Sequence, residues 1–509
     1  MAEIGSRKWI VTIAIVSGVL IEIIDGTVVN VAMANIIGSL GATIADASWV
    51  TTGYMLANVI ILPISGWLGN RFGRKKYFLF SIIAFTFMSF LCGNSHSLIE
   101  LVVFRVLQGL FGGGLLSTGQ AILLDTWPKE EIGMGTAFFG IGMMIGPSIG
   151  PILGGYIVDH MSWQWIFYIN IPVGIVAAFL ISTFVRETEL HGKDEPIDWL
   201  GIALLSTTVG SLQVVLERGP SEDWFQTAYI VVLSSTAIIS GICFIWRELV
   251  IEYPIVNLSI FRHRSFVIGN ITMFLIGLIL YCSMFALPLF CQTILHLSAQ
   301  ETGTLLIPST IVSMFAMPII GVLMKRGVPG QLLGVVGIIL FLLPFVMMAG
   351  ATLDSGAYFF VWPMIIFGIG RSFLFIPFTA MSMQDLTGKE VGEGTGIANL
   401  MRSLGGSFGI ALFAMILQVQ MYSYRNILIE NVNQYNPAFQ ERFRTYTASF
   451  LGRGIGMDQA QSMSMKAIES ALMTQAQLLT YNHIYAITAI MLVCCIPLFL
   501  MQKSKKIAA

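Results

Sequence analysis

Long apolar runs separated by short polar segments dominate the pattern of hydrophobic and polar positions along this chain. A run of about 20 apolar residues is long enough to cross a bilayer as one helix. The pattern therefore predicts an all-α polytopic membrane protein with fourteen transmembrane helices, near residues 10–33, 48–69, 77–95, 98–123, 133–158, 164–185, 198–217, 227–247, 266–290, 299–323, 331–350, 356–381, 393–418 and 480–501.

The composition supports the same class of protein. Of 509 residues, 56% are hydrophobic and 11% are charged, whereas about 25% are charged in soluble domains. The net charge of −1 gives no reason to expect a nucleic-acid partner. The six cysteines lie in or beside apolar runs without regular spacing. We interpret them as packing residues, and we expect no metal site and no cofactor.

The positions of the basic residues predict the orientation. Arg7 and Lys8 precede the first apolar run, and the short loops on the opposite side contain only Arg218. Because positive charge is enriched in cytoplasmic loops, we expect both termini in the cytoplasm. The side shared with Arg7 then carries Arg71, Arg74, Lys75, Lys76, Lys129, Arg186, Lys193, Arg247, Arg262, Arg264, Lys325, Arg326, Lys389, Lys503, Lys505 and Lys506.

The chain repeats internally at an offset of 259 residues. Because one offset serves two pairs of spans, we predict two parallel six-helix halves, the architecture of one large class of transporters. The aligned residues are Gly109 with Gly368, Gly133 with Gly392, Gly135 with Gly394, Thr136 with Thr395, Gly146 with Gly405, Ser148 with Ser407, and Gly150 with Gly409.

This repeat divides the chain into three parts. We expect an N-terminal half at 1–185, a linker with two inserted helices at 186–265, and a C-terminal half at 266–509. Two longer polar segments interrupt the short loops. The first, 186–197, is rich in acidic residues; the second, 419–479, is predicted to lie outside the membrane, with helical composition at 457–478. It can serve as a cap or as a docking surface, and both interpretations stay open.

Three charged residues lie inside apolar runs of the first half. Glu22 and Asp25 are in the first run and Arg105 is in the fourth. An ionised residue at the centre of a membrane helix costs about 2.5 to 3.5 kcal/mol on insertion scales, so Arg105 requires a partner. Glu22 and Asp25 are three residues apart, nearly on one helical face, and are the candidates. A static ion pair between the two spans is the structural alternative.

The repeat shows that these charges belong to one half only. The offset aligns Asp25 with Met284, Glu22 with Tyr281, and Arg105 with Met364. The second half has intramembrane cations of its own, Arg371 and Arg402, which align with Gly112 and Met143. We infer that the charges serve a task rather than the shared scaffold.

Two glycine-bearing motifs stand out. Residues 66–76 read GWLGNRFGRKK, a tight turn with a basic cluster, and simple positive-inside anchoring explains the charge but not the order of residues. The fifth span contains GIGMMIGPSIGPILGGY, in which Gly142, Gly146, Gly150 and Gly154 form one helical stripe. Such a stripe permits close approach of another helix, whether or not that helix moves, and Pro147 and Pro151 favour bending.

These motifs carry a family resemblance along nearly the whole chain. The loop resembles the signature of the major facilitator superfamily, with Asn70 where an acidic residue usually stands, and the fifth-span pattern resembles its antiporter signature. Further matches are R-x-x-Q-G at Arg105 to Gly109, D-x-T-x-x-N-V-A from Asp25 to Ala32, WQWIFYINIPVG, and NLMRSLGGSFG. Together they resemble the EmrB/QacA branch of drug:proton antiporters, the fourteen-span branch of that superfamily.

The resemblance implies export of amphipathic or hydrophobic drugs by alternating access, coupled to protons and located in the bacterial inner membrane. Asp25 is then the principal proton-coupling carboxyl, Glu22 the second candidate and Arg105 their partner. Relatives of this type also imply a periplasmic adaptor protein and an outer-membrane channel as partners, besides the substrate, protons and the bilayer.

Further residues follow as candidates. We expect the antiporter motif (Gly142, Gly146, Pro147, Gly150 and Gly154) to act in gating. A cytoplasmic latch would involve Gly66, Asn70, Arg71, Gly73 and Arg74, with Arg71 or Arg74 pairing with Asp125. Candidates for the substrate cavity are Asn30, Gln108, Arg371, Asn399 and Arg402.

Other functions stay open at this point. The chain could export an endogenous metabolite such as a fatty acid or a siderophore, or it could be a non-transporting receptor or scaffold in which the charged cluster is fixed. An enzyme is not expected, because the sequence has no HExxH motif, no nucleotide-binding loop and no Ser/His/Asp set near one membrane depth.

Overall fold

The computed structural model describes residues 7–128, 131–187 and 196–501. Most of the acidic segment 186–197 therefore lies outside the described residues, as do Lys129, Lys193, Lys503, Lys505 and Lys506. Within the described residues all regular structure is helical.

The helices follow the apolar runs closely. The first six spans are built from α1 (Arg7–Leu40), α2 (Ile44–Ala47), α3 (Trp49–Phe72), α4 (Arg74–Gly93), α5 (Leu98–Thr126), α6 (Ile132–His160), α7 (Trp165–Tyr168) and α8 (Asn170–Phe184). Two further spans are α9 (Trp199–Arg218) and α10 (Ala228–Val250), joined by short 3-10 helices at Gly219–Ser221 and Trp224–Gln226.

The remaining chain contains a second set of long helices. They are α11 (Arg264–Thr293), α12 (Ala299–Lys325), α13 (Gly330–Met348), α14 (Val361–Met383), α15 (Lys389–Ile429), α16 (Pro437–Leu451) and α17 (Met457–Met501). Short 3-10 helices at Leu258–Arg262 and Ala357–Phe360 precede α11 and α14.

Fourteen spans of the described chain are long and apolar enough to cross a membrane, which confirms the predicted fold class. The last two differ from the prediction in length. The runs at 393–418 and 480–501 are parts of α15 and α17, helices of 41 and 45 residues. At about 1.5 Å per residue, α15 is roughly 60 Å long, twice the hydrocarbon core of about 30 Å. Both helices must therefore project beyond it.

The projecting parts replace most of the segment 419–479 that was expected to be a loop. The helical composition predicted for 457–478 is confirmed, because this stretch lies in α17. An ion pair between Arg425 and Glu469, 2.7 Å apart, joins the projecting parts of α15 and α17. The helix α16 packs on α17, and Thr447 donates a hydrogen bond to Ser464 there.

Helix packing within the two sets of spans follows one pattern. In the first, α1 packs on α6 and α8, α5 packs on α3 and α4, and α4 packs on α8. The second repeats these pairs as α11 with α15 and α17, α14 with α12 and α13, and α13 with α17. The helices paired by the 259-residue offset therefore occupy equivalent places.

The two sets meet through four helix pairs, α3 with α15, α5 with α15, α6 with α12, and α6 with α14. An apolar cluster including Ala137, Met317 and Phe375 fills the contact around α6. The helix α9 packs against both α3 and α15, and α10 packs mainly on α9. The inserted spans therefore lie beside the contact between the two sets.

We name the two ends of this bundle by where the chain enters. The face at which α1 begins is called the terminal face, and the opposite one the loop face. Arg7 donates a hydrogen bond of 2.9 Å to the carbonyl of Phe184, so α8 ends at the terminal face. The projecting parts of α15 and α17 extend from the loop face.

The glycine stripe of α6 packs against α1. A Cβ atom added at Gly146 would lie 2.9 Å from the Cβ of Ile23, and one at Gly150 would lie 3.0 Å from the Cβ of Thr27. Gly405 and Gly409, their counterparts in α15, contact the backbone of α11 in the same way. The stripe is therefore a close-packing surface within each half.

We expect Gly146→Ala to destabilise the protein by about 1 to 3 kcal/mol, because the added methyl group would overlap Ile23 in a packed contact. Gly155→Ala in the same helix is the matched control, since a Cβ there meets no atom within 4 Å. Thermal unfolding of the two purified variants in one detergent measures the difference. Equal stability of the two variants would contradict the close packing of α1 on α6.

Candidate functional site

Asp25 and Arg105 form an ion pair in the interior of the first six spans. Both side chains are 0% exposed. Asp25 also accepts hydrogen bonds from Asn170, at 2.8 Å, and from Gln108, at 3.3 Å. The Asp25 carboxylate is thus surrounded by three donors from α5 and α8, which compensate for its removal from water.

Arg105 also has several partners besides Asp25. It donates to the carbonyl of Val50 at 3.2 Å and to the side chain of Gln108 at 2.7 Å. Its guanidinium carbon lies 3.9 Å from the centre of the Tyr54 ring, a cation–π geometry. The cluster ties α1, α3, α5 and α8 together, because each contributes at least one partner.

Asn170 and Tyr54 were not among the candidates predicted from the sequence. Asn170 occurs in the YINIPVG stretch that supported the family resemblance, and this was the available signal for it. Asn170 also donates to Ser89 at 3.0 Å, which orients its amide towards Asp25. Tyr54 lies in none of the motifs identified in the sequence.

Glu22 lies one helical turn from Asp25 but in a different environment. Its Oε1 accepts a hydrogen bond of 2.8 Å from Asn58 on α3. Its Oε2 has no hydrogen-bond partner among the described residues. The opposite charge close enough to act on it belongs to Arg402 of α15. Glu22 therefore lies at the boundary between the two sets of helices, whereas Asp25 is enclosed within the first.

The residues predicted to line a substrate cavity do not come together in one place. Gln108 belongs to the enclosed Asp25 cluster. Asn399 is buried where α15 meets α5, and donates to Gln120 at 3.0 Å. Arg402 is 3.7 Å from the sulfur of Met143 on α6, and Asn30 is exposed on α1.

Arg371, the remaining candidate, lies in a separate small cavity. The cavity has a volume of about 40 Å³ and is lined by Arg371 and by Pro147 of α6, among others. Pro147 thus faces the second set of helices, whereas the neighbouring glycines face α1.

The loop motif lies at the terminal face and contacts both halves. Of the two arginines predicted to pair with Asp125, Arg74 forms the ion pair. Arg74 also donates to the carbonyl of Gly388 at 3.0 Å, just before α15. The guanidinium of Arg71 lies over the Trp67 ring, 5.3 Å from its centre.

Asn70 stands where the family signature has an acidic residue. Its contacts show where an acidic residue lies instead. Its amide donates to the carbonyl of Lys389 at 3.0 Å and to the carboxylate of Glu393 at 3.3 Å. The acidic partner is therefore on α15, across the contact. Glu393 was not predicted, because the signature places the acid in the loop.

Two glycines of this motif are required by geometry. Gly66 packs against the backbone of Gly392 and Glu393, so a side chain there would separate α3 from α15. Gly73, between α3 and α4, has φ of 91°, which favours glycine.

A second polar contact between the halves lies at the same face. Glu131, immediately before α6, forms ion pairs with Lys8 of α1 and with Lys325 at the end of α12, the latter at 2.7 Å. Hydrogen bonds from Lys325 and Lys8 lower the pKa of Glu131 below its ordinary value. Sequence reasoning missed this bridge, because the residues are far apart in the chain. Together with the loop motif, it joins the two halves at the terminal face.

The described residues contain no group of three or more His, Cys, Asp or Glu that could hold a metal ion. The side chains brought together here can exchange a proton, bind a charged group or hold two helices together.

The fourteen-span fold, its two equivalent sets of helices and its intramembrane charges define a class of transporter. The chain belongs to the Major Facilitator Superfamily, which matches residues 15–410. It is a membrane transporter rather than an enzyme, and a multi-pass protein of the bacterial inner membrane.

Among individual proteins, the chain is similar to Multidrug export protein EmrB of Escherichia coli (strain K12). The two are 32% identical over 489 residues, 95% of this chain and 93% of that protein. Fatty acid resistance protein FarB of Neisseria gonorrhoeae is 30% identical over 499 residues, 98% of this chain and 96% of that protein. These similarities confirm the resemblance that the motifs indicated.

A solved structure supports the fold. The crystal structure of the human organic anion transporter MFSD10 (TETRAN) superposes with a TM-score of 0.58, covering 96% of this chain and all of that one. At 12% identity, the likeness concerns the fold alone.

We expect Glu131→Gln to lower the melting temperature at pH 7, because it removes the charge that joins Lys8 and Lys325. A carboxyl with a lowered pKa stabilises the folded state above its unfolded pKa of about 4.3, and this contribution disappears as the pH falls through the folded pKa. The melting temperatures of wild type and Glu131→Gln should therefore converge towards pH 3. Glu430→Gln, at an exposed position, is the control and should follow the wild type at every pH. A constant difference between wild type and Glu131→Gln at all pH values would contradict the assignment.

Proposed function

We propose that this transporter exports amphipathic or hydrophobic small molecules, including drugs, in exchange for protons. The observation that carries the proposal is the group of Glu22, Asp25 and Arg105 inside the membrane-spanning helices. The repeat supplies no equivalent acid in the second half, so the scaffold does not require these residues. Similarity to Multidrug export protein EmrB supports drugs as substrates.

Alternating access is the transport mechanism that the packing supports. The polar contacts of Asn70, Arg74 and Glu131 join the two halves at the terminal face. The described arrangement is thus consistent with a state closed at that face. Rocking of the halves about the central contact would have to break these contacts, which gives the loop motif and the Glu131 bridge the role of a latch. The antiporter motif would act in this motion through α6, which packs on α1 with one face and on α12 with another.

The distribution of basic residues supports the terminal face as the cytoplasmic one. Release at the loop face would then be export. The projecting helices α15, α16 and α17 would lie on the periplasmic side. We propose that they dock a periplasmic adaptor protein leading to an outer-membrane channel, the arrangement implied by the family resemblance, and a simple cap is the alternative.

Of the two carboxyls of α1, Glu22 and Asp25, the geometry favours Glu22 as the group that binds and releases the transported proton. A proton can be added at Oε2 of Glu22 without breaking any hydrogen bond of the described residues. Protonation of Asp25 must instead disturb its contacts with Arg105, Asn170 or Gln108. This reverses the order suggested by the sequence, which put Asp25 first. In this proposal the Asp25–Arg105 pair transmits the proton-dependent change to α3 and α5.

A second candidate function is export of fatty acids or a similar endogenous metabolite. Similarity to Fatty acid resistance protein FarB over nearly the whole chain favours it. The same proton mechanism serves both candidates, and competition between a drug and a fatty acid for export would distinguish them.

We expect Glu22→Gln to reduce export driven by an imposed pH gradient at least tenfold while leaving exchange of labelled substrate at equal pH intact. The physical reason is that an amide cannot take up the proton, although it retains the hydrogen bond with Asn58. The measurement is substrate flux in everted membrane vesicles or proteoliposomes. Glu217→Gln is the control, because Glu217 is also a carboxyl of a membrane span, but it accepts its hydrogen bond from Thr52 and from no residue named in the cluster. Undiminished pH-driven export by Glu22→Gln would exclude Glu22 as the proton carrier.

We expect Asp25→Asn to abolish pH-driven export and to lower stability, because it leaves Arg105 buried without a counter-charge. Breaking one partner of a buried pair costs about 3 to 5 kcal/mol. The double variant Asp25→Asn, Arg105→Gln should recover part of the melting temperature but none of the export. Gel filtration before each transport assay establishes that folded protein is present. Retention of pH-driven export by Asp25→Asn would show that the ion pair has only a structural role.

A further inference from the structure

Arg371 is a cation inside α14 whose charge has no opposite charge beside it among the described residues. It is 4% exposed and lies near the middle of its helix. Its counterpart in the first half is Gly112, so the shared scaffold has no need of a cation at this position. A buried guanidinium within a membrane protein ordinarily pairs with an acid or with several carbonyl groups.

The contacts of Arg371 leave most of its hydrogen-bonding capacity unused. Its Nη2 donates to the hydroxyl of Ser313 at 3.1 Å. Its Nε has no partner among the described residues, and no carboxylate of the described chain acts on it. The ring of Phe367 lies 5.7 Å from the guanidinium carbon. A guanidinium has five N–H donors, and this one makes a single hydrogen bond to the described residues.

Arg371 lines the cavity of about 40 Å³ described above. A water molecule needs about 10 to 15 Å³ on this scale. The cavity can therefore hold a small polar group of a few heavy atoms but not a whole drug molecule. Ser283 and Ser309 contribute hydroxyl groups to the lining, and the rest of it is mainly apolar, including Met284, Met348 and Met364.

One wall of the cavity reaches the surface of the protein. Met284, on α11, lines the cavity and is also 37% exposed. A molecule can thus place one end in the cavity while the remainder extends along the flexible methionine side chains, which adapt to different apolar shapes.

Arg371 differs from Arg402, the other intramembrane cation of the second half. Arg402 is close enough to Glu22 for their charges to interact. The two arginines approach neighbouring turns of α6, since Arg402 contacts Met143 and the Arg371 cavity includes Pro147. Arg402 therefore has a carboxylate near it, whereas Arg371 has none near it among the described residues.

We propose that the Arg371 cavity binds the carboxylate of an amphipathic organic anion, with its apolar chain directed past Met284. This inference rests on the proposed function and specifies the substrate class of the same transporter. A single guanidinium balances one negative charge, and its planar N–H pair matches a carboxylate. The small cavity and the absence of a second described cation in its lining disfavour a doubly charged phosphate ester.

The test is equilibrium binding of labelled dodecanoate to the full chain in phosphatidylcholine nanodiscs, with empty nanodiscs measuring partition into lipid. Arg371→Gln should weaken dodecanoate binding at least tenfold and change the binding of dodecyltrimethylammonium, of equal chain length and opposite charge, less than twofold. Arg371→Lys, which keeps the charge but loses the planar fork, should weaken dodecanoate binding less than Arg371→Gln. Arg326, which directly follows α12, is exposed. Arg326→Gln is therefore the matched control and should bind both ligands like the wild type.

A second variant keeps the test decisive if Arg371→Gln does not fold. Met284→Trp leaves Arg371 in place but narrows the open wall, and it should also weaken dodecanoate binding at least tenfold. Wild-type protein that binds no dodecanoate overturns the inference, as does unchanged dodecanoate affinity in Arg371→Gln or, where that variant is unfolded, in Met284→Trp.

Failure of this inference is distinguishable from failure of the proposed function. The binding assay uses no pH gradient. If Arg371→Gln binds dodecanoate normally while the wild type exports a drug under a gradient, the carboxylate site is wrong and proton-driven export stands. If Arg371→Gln loses dodecanoate binding while the wild type shows no gradient-driven flux, the site stands and the transport mechanism is wrong.

Discussion

Charged side chains within membrane-spanning helices need partners from the protein or from a bound molecule, because the hydrocarbon core of the bilayer offers neither counter-ions nor hydrogen bonds. In the first half of this transporter the requirement is met by the Asp25–Arg105 pair and its amide, carbonyl and aromatic partners. These partners come from four helices, so satisfying one guanidinium also fixes how α1, α3, α5 and α8 pack. Glu22 is left at the edge of this cluster, where the second half begins.

The close packing of α6 imposes a complementary constraint. The glycines on one face of this helix pack closely against α1. Bulkier residues on another face, such as Met143, contact the second half. On this second face mostly side chains meet, except that the backbones of α6 and α12 approach closely at Gly133 and Gly321. At the terminal face, the two halves are also joined by the Glu131 bridge and by the contacts of Asn70 and Arg74 with the start of α15.

The inserted helices lie where one of them, α9, contacts both sets of helices. Through Glu217, α9 accepts a hydrogen bond from Thr52 of α3, and through Gln213 it accepts one from Ser407 of α15. The helix α10 lies against α9 and exposes many of its large apolar residues, including Ile238, Ile242 and Trp246. A surface of this kind is suited to lipid. The pair thus lines the α3–α15 contact without entering the central region.

The sequence by itself determined the number of spans, the helical class and the family, because hydropathy and short motifs are local properties of the chain. It also indicated that Arg105 needs an acid on the first span. It could not decide between Glu22 and Asp25, since residues three apart share a helical face, nor foresee that Asn70 meets an acid from α15. The partners Asn170, Glu393 and Lys325 are separated from the groups they bind by long stretches of chain. Only the tertiary structure brings them together, because helix packing sets which faces meet, and the spacing within one segment can reveal a face but not the segment it will contact.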